Sequence, residues 1–453
     1  MSSTNAVKYS QLKNGIFSLF LFILLLPLFQ MTLPFLKEER LNGVDLPQPL
    51  PTISDSTWFN EDYQKMFALN FEQNIGFHNS LVRLHNQVNY NIFGFSDAGD
   101  VVVGKDGYVF LKNYVDAFTG ADFVGKEYID IQSQKIKFIQ QELKKKNIDF
   151  FIVLAPGKGS FYSEYIPANF KNNITSDNTN YSFYKKLFSE QGVNNLDLNS
   201  YFLSIKKTEK YPLYSTTGVH WTEYGCYIAG REIVKYVEKL RNITLPKIKI
   251  QSLELASLSG NHSSDYDAAS LMNVFSKLPH PTYALPKLKF DSDSKTVKPH
   301  FLCISDSYFS GIINTNIPSN VFTDYHYWLY NDGVYPETFL KEKRHDKKQL
   351  KQDLEKQDVI CLMATDASLA QFPFGFIDEA YEVYAPKNAE YYSLKQKEFR
   401  FLILKTIENI KKDNRWKNQL VENAKHKGIS EMDEFIANAL WIYNQEQLKL
   451  KNE

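Results

Sequence analysis

Cysteine is scarce in this chain. Only Cys226, Cys303 and Cys361 occur among 453 residues. An odd number of thiols excludes a fully paired disulfide framework. Cys303 and Cys361 lie inside apolar runs (Phe-Leu-Cys-Ile and Val-Ile-Cys-Leu-Met), where buried free thiols are expected. No CxxC and no His/Cys ligand spacing is present, which argues against a structural zinc, and nothing in the sequence calls for a metal or cofactor. An excess of charge is missing as well: 52 Lys+Arg stand against 52 Asp+Glu. That balance argues against a polyanionic partner such as nucleic acid. Aromatic residues, by contrast, are plentiful, with 34 Phe and 28 Tyr, and they read as a Phe/Tyr-rich core before a sugar-stacking surface. Hydrophobic residues make up 43%, enough for one large domain with an appendage or for two domains.

Residues 15–36 lack charge altogether and include the run Ile16-Phe-Ser-Leu-Phe-Leu-Phe-Ile-Leu-Leu-Leu-Pro-Leu. About 20 such residues span a bilayer as a helix. Lys8 and Lys13 precede the run, while Lys37, Glu38, Glu39 and Arg40 follow it without net positive bias. This asymmetry places residues 1–14 in the cytoplasm and everything after residue 37 outside it; the expected location is a single-pass inner-membrane protein with its main domain periplasmic. A cleaved signal peptide is the rival reading, but no small-x-small site follows the apolar run, so an uncleaved anchor is favoured.

Beyond the anchor, residues 37–75 read as a spacer and a leading helix. The spacer is proline-rich over 41–56, and the helical pattern runs over 62–91. Two apolar runs around Gly104-Lys-Asp-Gly107 predict a β-hairpin over 101–111. An α/β pattern then occupies the rest of 76–390. Residues 127–146 form a helix with Ile129, Ile136, Ile139 and Leu143 on one face. Residues 149–154, 301–304 and 358–363 read as buried strands, and Thr222 caps a helix to about residue 240. Apolar strands alternating with amphipathic helices predict a mainly parallel sheet flanked by helices. Residues 391–453 change character. They are charged, poor in glycine and helical in pattern, a pair of helices interrupted near Lys427-Gly428 with Trp416, Leu420, Ile436, Leu440 and Trp441 as the apolar stripe.

Two segments carry chemistry. One reads Tyr214-Ser-Thr-Thr-Gly-Val-His220-Trp221-Thr222; the other ends a strand as Phe301-Leu-Cys-Ile-Ser-Asp306-Ser307-Tyr308. A serine exposed where a strand ends and a helix begins, with a histidine as base, is the apparatus of acyl transfer. Taken singly, each has a plain structural reading: a Ser/Asp helix cap, a histidine donor before a helix, and a core tryptophan. An acid that orients the imidazole is expected two residues before the histidine, where Gly218 stands. Glu223, Asp306, Asp324 and Asp366 are the carboxylates within sequence reach, and Asp324-Tyr-His326 repeats the Asp-x-His spacing.

The ordered blocks resemble the SGNH-hydrolase-like polysaccharide O-acetyltransferases of the alginate type (AlgJ/AlgX-like proteins), from the anchor to about residue 380. They are Leu41-Asn-Gly; the 74–95 region ending in Asn91-Ile-Phe-Gly-Phe; Val103-Gly104-Lys-Asp-Gly107-Tyr; Ala155-Pro156-Gly-Lys158 leading to Ile-Pro167; Leu213-Tyr214 leading to His220-Trp221-Thr222 and Gly225; and Ser305-Asp306-Ser307-Tyr308. The base precedes the nucleophile in the chain, as in that family and unlike ordinary SGNH esterases. The resemblance implies Ser307 as acetyl acceptor and His220 as its base, with Asp306, Tyr308, Trp221 and Lys158 in support. It also implies an exported polysaccharide as acceptor and a membrane-bound O-acyltransferase as partner and acetyl source. Gly218 in place of the triad aspartate and Ser305 in place of a glycine are departures from the family pattern. Three readings follow: an O-acetyltransferase, an accessory or glycan-binding protein on the same scaffold, and a carbohydrate esterase.

Overall fold

The computed structural model describes residues 3–44, 49, 52–171, 178–256, 263–276, 278–279 and 281–452. The chain divides into two compact units. The smaller contains Met1–Lys112, Tyr214–His220 and Ala256–Tyr283, and the larger contains Asn113–Leu213, Trp221–Leu255 and Ala284–Glu453.

In the smaller unit an apolar helix runs over Ser3–Thr32, and its stretch Gln11–Thr32 is long and apolar enough to cross a membrane. It stops short of the expected residue 36 because Leu33 precedes a proline, whose ring disfavours helical backbone at the residue before it. The Gln30 side chain closes the end, accepting from Phe35 N–H at 3.1 Å and Leu36 N–H at 3.2 Å. The proline-rich spacer expected over 41–56 lies partly outside the described residues. The helix expected over 62–91 is broken into Asp62–Asn74 and His78–Val88, followed by a π turn over Asn89–Phe93. The break runs from Ile75, whose ψ of 137° ends the first helix, to Phe77, whose left-handed φ of 64° precedes the second. Strands β1 (Val101–Val103) and β2 (Val109–Leu111) form the expected antiparallel hairpin, registered Val101 to Leu111 and Val103 to Val109.

The larger unit is built on a sheet. Its strands are β3 (Asp149–Ala155), β4 (Asn195–Asp197), β7 (His300–Ser305), β8 (Thr323–Leu329), β9 (Gly333–Tyr335) and β10 (Val359–Thr365). Between them in sequence, β5 (Lys247–Ala256) and β6 (Tyr283–Asp291) pair as a separate ribbon. The sheet order is β4-β3-β10-β7-β8-β9, parallel throughout except for β9. Every residue of β3 and β10 is buried, as the apolar runs Phe150–Ala155 and Val359–Ala364 within them require for a sheet covered on both faces. The short or alternating strands β4, β8 and β9 left no such signal.

Register aligns the strand ends: Thr365 pairs with Ala155 and Met363 with Ser305. The segments that follow β3, β7 and β10 therefore leave the sheet at its carboxyl edge, where α/β folds place their sites. The helix Lys126–Lys145 buries Ile129, Ile136, Ile139 and Leu143 in the core beside β3 and β10. It also buries Lys135, whose Nζ sits 2.6 Å from both Asp378 and Glu398. Those partners lie on the helices Phe376–Tyr384 and Ala389–Lys412, so one paired lysine ties both to the sheet's cover.

The tail contains Ala389–Lys412, Asn414–Lys427 and Glu431–Asn452, one helix more than the pair expected. The extra break falls at Asp413, whose carboxylate accepts from Arg415 N–H at 2.9 Å and Trp416 N–H at 3.0 Å as an N-cap. Ile407, Ile410, Leu420, Phe435 and Ala439 form its core, with Trp416 packed against it. Ile436 and Trp441, expected on the apolar stripe, face solvent at 37% and 60% exposure. Among the sheet residues, Ile360 in the central strand is fully buried. Ile360→Ala is expected to cost about 2–5 kcal/mol, read as a lowered urea midpoint at unchanged slope.

Candidate active site

The segment Tyr214–His220 is laced to residues 264–269 of the same unit. The Asp265 carbonyl accepts from the hydroxyls of Ser215 at 2.5 Å and Thr217 at 2.8 Å, and Ala269 N–H donates to Thr217 O at 2.9 Å. Ser215 Oγ in turn accepts from the N–H groups of Thr217 and Gly218, at 3.1 and 3.0 Å. Gly218 is where the two segments touch. A Cβ there would overlap the Ser264 carbonyl oxygen and come within 2.8 Å of the Asp265 carbonyl carbon. The glycine is thus a packing requirement, and the aspartate of the family pattern has no room at this position.

The same approach delivers another acid. Asp267 opens the short helix Asp267–Ser270, with Oδ1 accepting from Val219 N–H at 2.7 Å and Oδ2 lying 2.6 Å from His220 Nδ1. A carboxylate at that distance holds the proton on Nδ1 and leaves Nε2 as the basic nitrogen, the tautomer a general base needs. Imidazole and carboxylate are each partly exposed, at 25% and 29%. Asp267 therefore occupies the orienting position for which Glu223, Asp306, Asp324 and Asp366 were the sequence candidates. It lies 47 residues beyond the histidine, with no motif spacing to announce it.

Ser307 stands at the end of β7, half-buried, as the residue before the helix Tyr308–Asn314. The Tyr330 hydroxyl lies beside it and is bonded to its side chain and backbone. Tyr330 follows β8 with a left-handed φ of 52°, and its own N–H donates to Ser305 O at 2.8 Å. Tyr330 was missed from sequence, because nothing in Tyr-Asn-Asp-Gly marks it except a turn. Asp306 points away from solvent: Oδ2 accepts from both Thr365 N–H (2.9 Å) and Thr365 Oγ1 (2.8 Å), and Oδ1 accepts from Tyr308 N–H (3.2 Å). It joins the nucleophile loop to the central strand. Trp221 is a core residue, and its indole N–H donates to Tyr308 O at 3.1 Å. Tyr308 packs its ring on Trp221 and Tyr114, with centroids 5.1 and 6.1 Å away. Lys158 is completely buried at the start of a helical turn after β3.

Asp366, the residue after β10, is also buried, and its Oδ2 accepts from the Ser160 hydroxyl. Burial pushes its carboxyl up from 3.8 to about 7; the Ser160 and Ala367 bonds oppose the rise, and the charges of Asp122 and Asp306 add to it. Asp324 sits near the start of β8, 75% exposed and 3.7 Å from His300.

Residues 101–276 match the AlgX-type SGNH hydrolase-like acetyltransferase domain. This stretch contains His220 and Asp267 and ends before Ser307. No curated protein matches the chain. Solved structures similar to it include the O-acetyltransferase domain of Pseudomonas putida AlgJ, at 15% identity over 62% of this chain and 99% of that one, TM-score 0.41. Pseudomonas aeruginosa AlgX is 13% identical over 64% of this chain and 69% of that one, TM-score 0.41. Bacillus cereus PatB1, solved with a sulfonyl adduct, is 15% identical over 56% and 93%, TM-score 0.38. The SGNH-like domain here is an α/β layer structure with a mixed sheet.

Two consequences can be measured. Gly218→Asp, which rebuilds the family's Asp-x-His spacing, is expected to destabilise the protein rather than restore an acid, because its Cβ meets the 264–265 backbone; a melting temperature at or above wild type would contradict this. The raised carboxyl of Asp366 binds its proton more tightly folded than unfolded, so its contribution to stability is full below about pH 4 and is lost as pH rises toward about 7. Asp366→Asn should flatten that fall, which is on the order of a few kcal/mol, in melts taken between those limits.

Proposed function

We propose that this protein is a membrane-anchored O-acetyltransferase that passes an acetyl group through Ser307 to hydroxyls of an exported polysaccharide. The observation that carries the reading is the 2.6 Å bond between Asp267 and His220, which supplies the acid that Gly218 cannot. The match to an acetyltransferase domain family supports the reaction class.

In the first half-reaction Ser307 Oγ attacks the acetyl carbonyl of the donor. Its proton passes to His220 Nε2, the bond from acetyl to the donor's leaving oxygen breaks, and that oxygen takes the proton from the imidazole. In the second, the histidine removes the proton of a sugar hydroxyl, whose oxygen takes the acetyl group and releases Ser307, which regains the proton. Asp267 stabilises the imidazolium in both halves without itself becoming protonated. The Tyr330 hydroxyl beside Ser307 is placed to donate to the oxyanion that develops on the acetyl carbonyl. The pairing of Ser307 with His220 rests on the order of the two blocks along the chain, His220-Trp221-Thr222 before Ser305-Asp306-Ser307. The apolar helix fits an anchor that holds the domain outside the cytoplasm, beside a membrane-bound O-acyltransferase that brings acetyl groups across.

Ser307→Ala should abolish O-acetylation of a cell-surface glycan, and unchanged acetyl content refutes the proposal. Asp267→Asn should slow acetyl transfer from a small ester donor to an oligosaccharide by about 10⁴-fold, the loss seen when a triad aspartate is made neutral. The same assay, run with and without the oligosaccharide, separates transfer from hydrolysis: an esterase would release acetate at an undiminished rate when the acceptor is added.

A further inference from the structure

A second site lies along β8, within the larger unit. His326 and Trp328 line a cavity of about 330 Å³ together with Glu337, His345, Lys356 and Gln357. A recess of about 740 Å³ shares four of these residues with it: His326, Glu337, Lys356 and Gln357. The cavity holds a concentration of buried polar atoms without hydrogen-bond partners: both ring nitrogens of His345, Glu337 Oε2 and Gln357 Oε1. The His345 side chain is only 1% exposed and stacks on Trp328 with centroids 4.1 Å apart. Glu379 Oε2 stands 3.6 Å from its Nε2, too far for a hydrogen bond. His326 Nδ1 lies 3.3 Å from Glu337 Oε1. Buried polar atoms in folded proteins nearly always have partners, so their gathering on one wall points to a ligand.

Charge decides which ligand. The cations of the rim are already matched: Lys343 to Glu337 at 3.1 Å, Lys356 to Asp353 at 2.9 Å, and Arg344 to Asp332 at 3.3 Å. Burial works to raise the Glu337 carboxyl, but its own backbone N–H, Lys343 and His326 outweigh it and keep it ionised. An anion would meet that carboxylate, and a protonated amine would meet Lys343 and Lys356. The unpartnered set includes two oxygens that can only accept, one from a carboxylate and one from an amide, beside the two ring nitrogens of His345. Hydroxyl groups both donate and accept, and so satisfy all of these at once.

We propose that this cavity binds a neutral sugar ring of a saccharide chain, its hydroxyls donating to Glu337 Oε2 and Gln357 Oε1 and exchanging hydrogen bonds with His345. The adjoining recess receives the neighbouring ring. His326 of the Asp324-Tyr-His326 motif belongs to this site, paired with Glu337. The site does not rest on the acyl-transfer reading, since none of its residues has a role in that reading.

Calorimetric titration of the full chain in detergent, carrying Ser307→Ala to prevent turnover, tests the proposal. The probes are neutral hexose and N-acetylhexosamine tetrasaccharides, with a uronic acid tetrasaccharide and inorganic phosphate as anionic controls. At least one neutral tetrasaccharide should bind, and Gln357→Leu should weaken it by about tenfold or more. The isosteric Glu337→Gln, which keeps the volume of the wall, should weaken it comparably, and melting curves establish that each variant is folded. Absence of binding by every neutral probe, binding unchanged in folded Glu337→Gln, or preference for phosphate or the uronic acid chain would each overturn it.

Discussion

The close approach of the 264–265 backbone to Gly218 governs how the imidazole of His220 is held. Two segments far apart in sequence share a carbonyl, that of Asp265, between the hydroxyls of Ser215 and Thr217, and the contact closes only because residue 218 has no Cβ. Once closed, it sets Asp267 opposite the next two residues, so that one carboxylate accepts from Val219 N–H and grips His220 Nδ1. The glycine and the displaced acid are therefore one device. Filling position 218 would push away the very segment that carries the acid.

In the larger unit the corresponding constraint is the aligned carboxyl edge of β3, β7 and β10. Parallel strands buried on both faces cannot slip by one residue without turning every side chain to the wrong side. The residues after them (Lys158, Asp306 and Ser307, and Asp366) consequently arrive at one edge. Asp306 is consumed in holding that edge, with its oxygens spread over Thr365 and the Tyr308 amide. Asp366 pays for its burial with a carboxyl held near neutrality. Lys135 serves a similar joining purpose on the covering face, where Asp378 and Glu398 both reach it.

Much of this was legible beforehand where hydrophobic patterning is strong. The strands around Phe151, Leu302 and Cys361, the helix bearing Ile129 to Leu143 and the hairpin across Gly104–Gly107 lie where the residues indicate. Capping by Thr222 holds too, with its hydroxyl accepting from Gly225 N–H at 3.1 Å. The break over Ile75-Gly76-Phe77 was not read, although Gly76 marks it: a single glycine inside a helical pattern is often tolerated, and the left-handed Phe77 beside it has no cue of its own. The Asp413 cap was overlooked because the Asp413-Asn414 pair sits in a charged helical pattern with no glycine or proline to mark a stop. Ile436 and Trp441 show the limit of stripe reading in a small helical tail, whose core closes instead on Ile407, Ile410 and Phe435.

The linear order of residues was enough to determine the fold class, the apolar N-terminal helix and the blocks that contain His220 and Ser307, because burial periodicity and local turn chemistry are written in neighbouring residues. Only the tertiary structure decided which acid serves the histidine and which hydroxyl lies beside the serine. Asp267 and Tyr330 are brought into place by long-range backbone contacts and by a left-handed turn after a weak strand. Neither leaves a spacing that can be read along the chain.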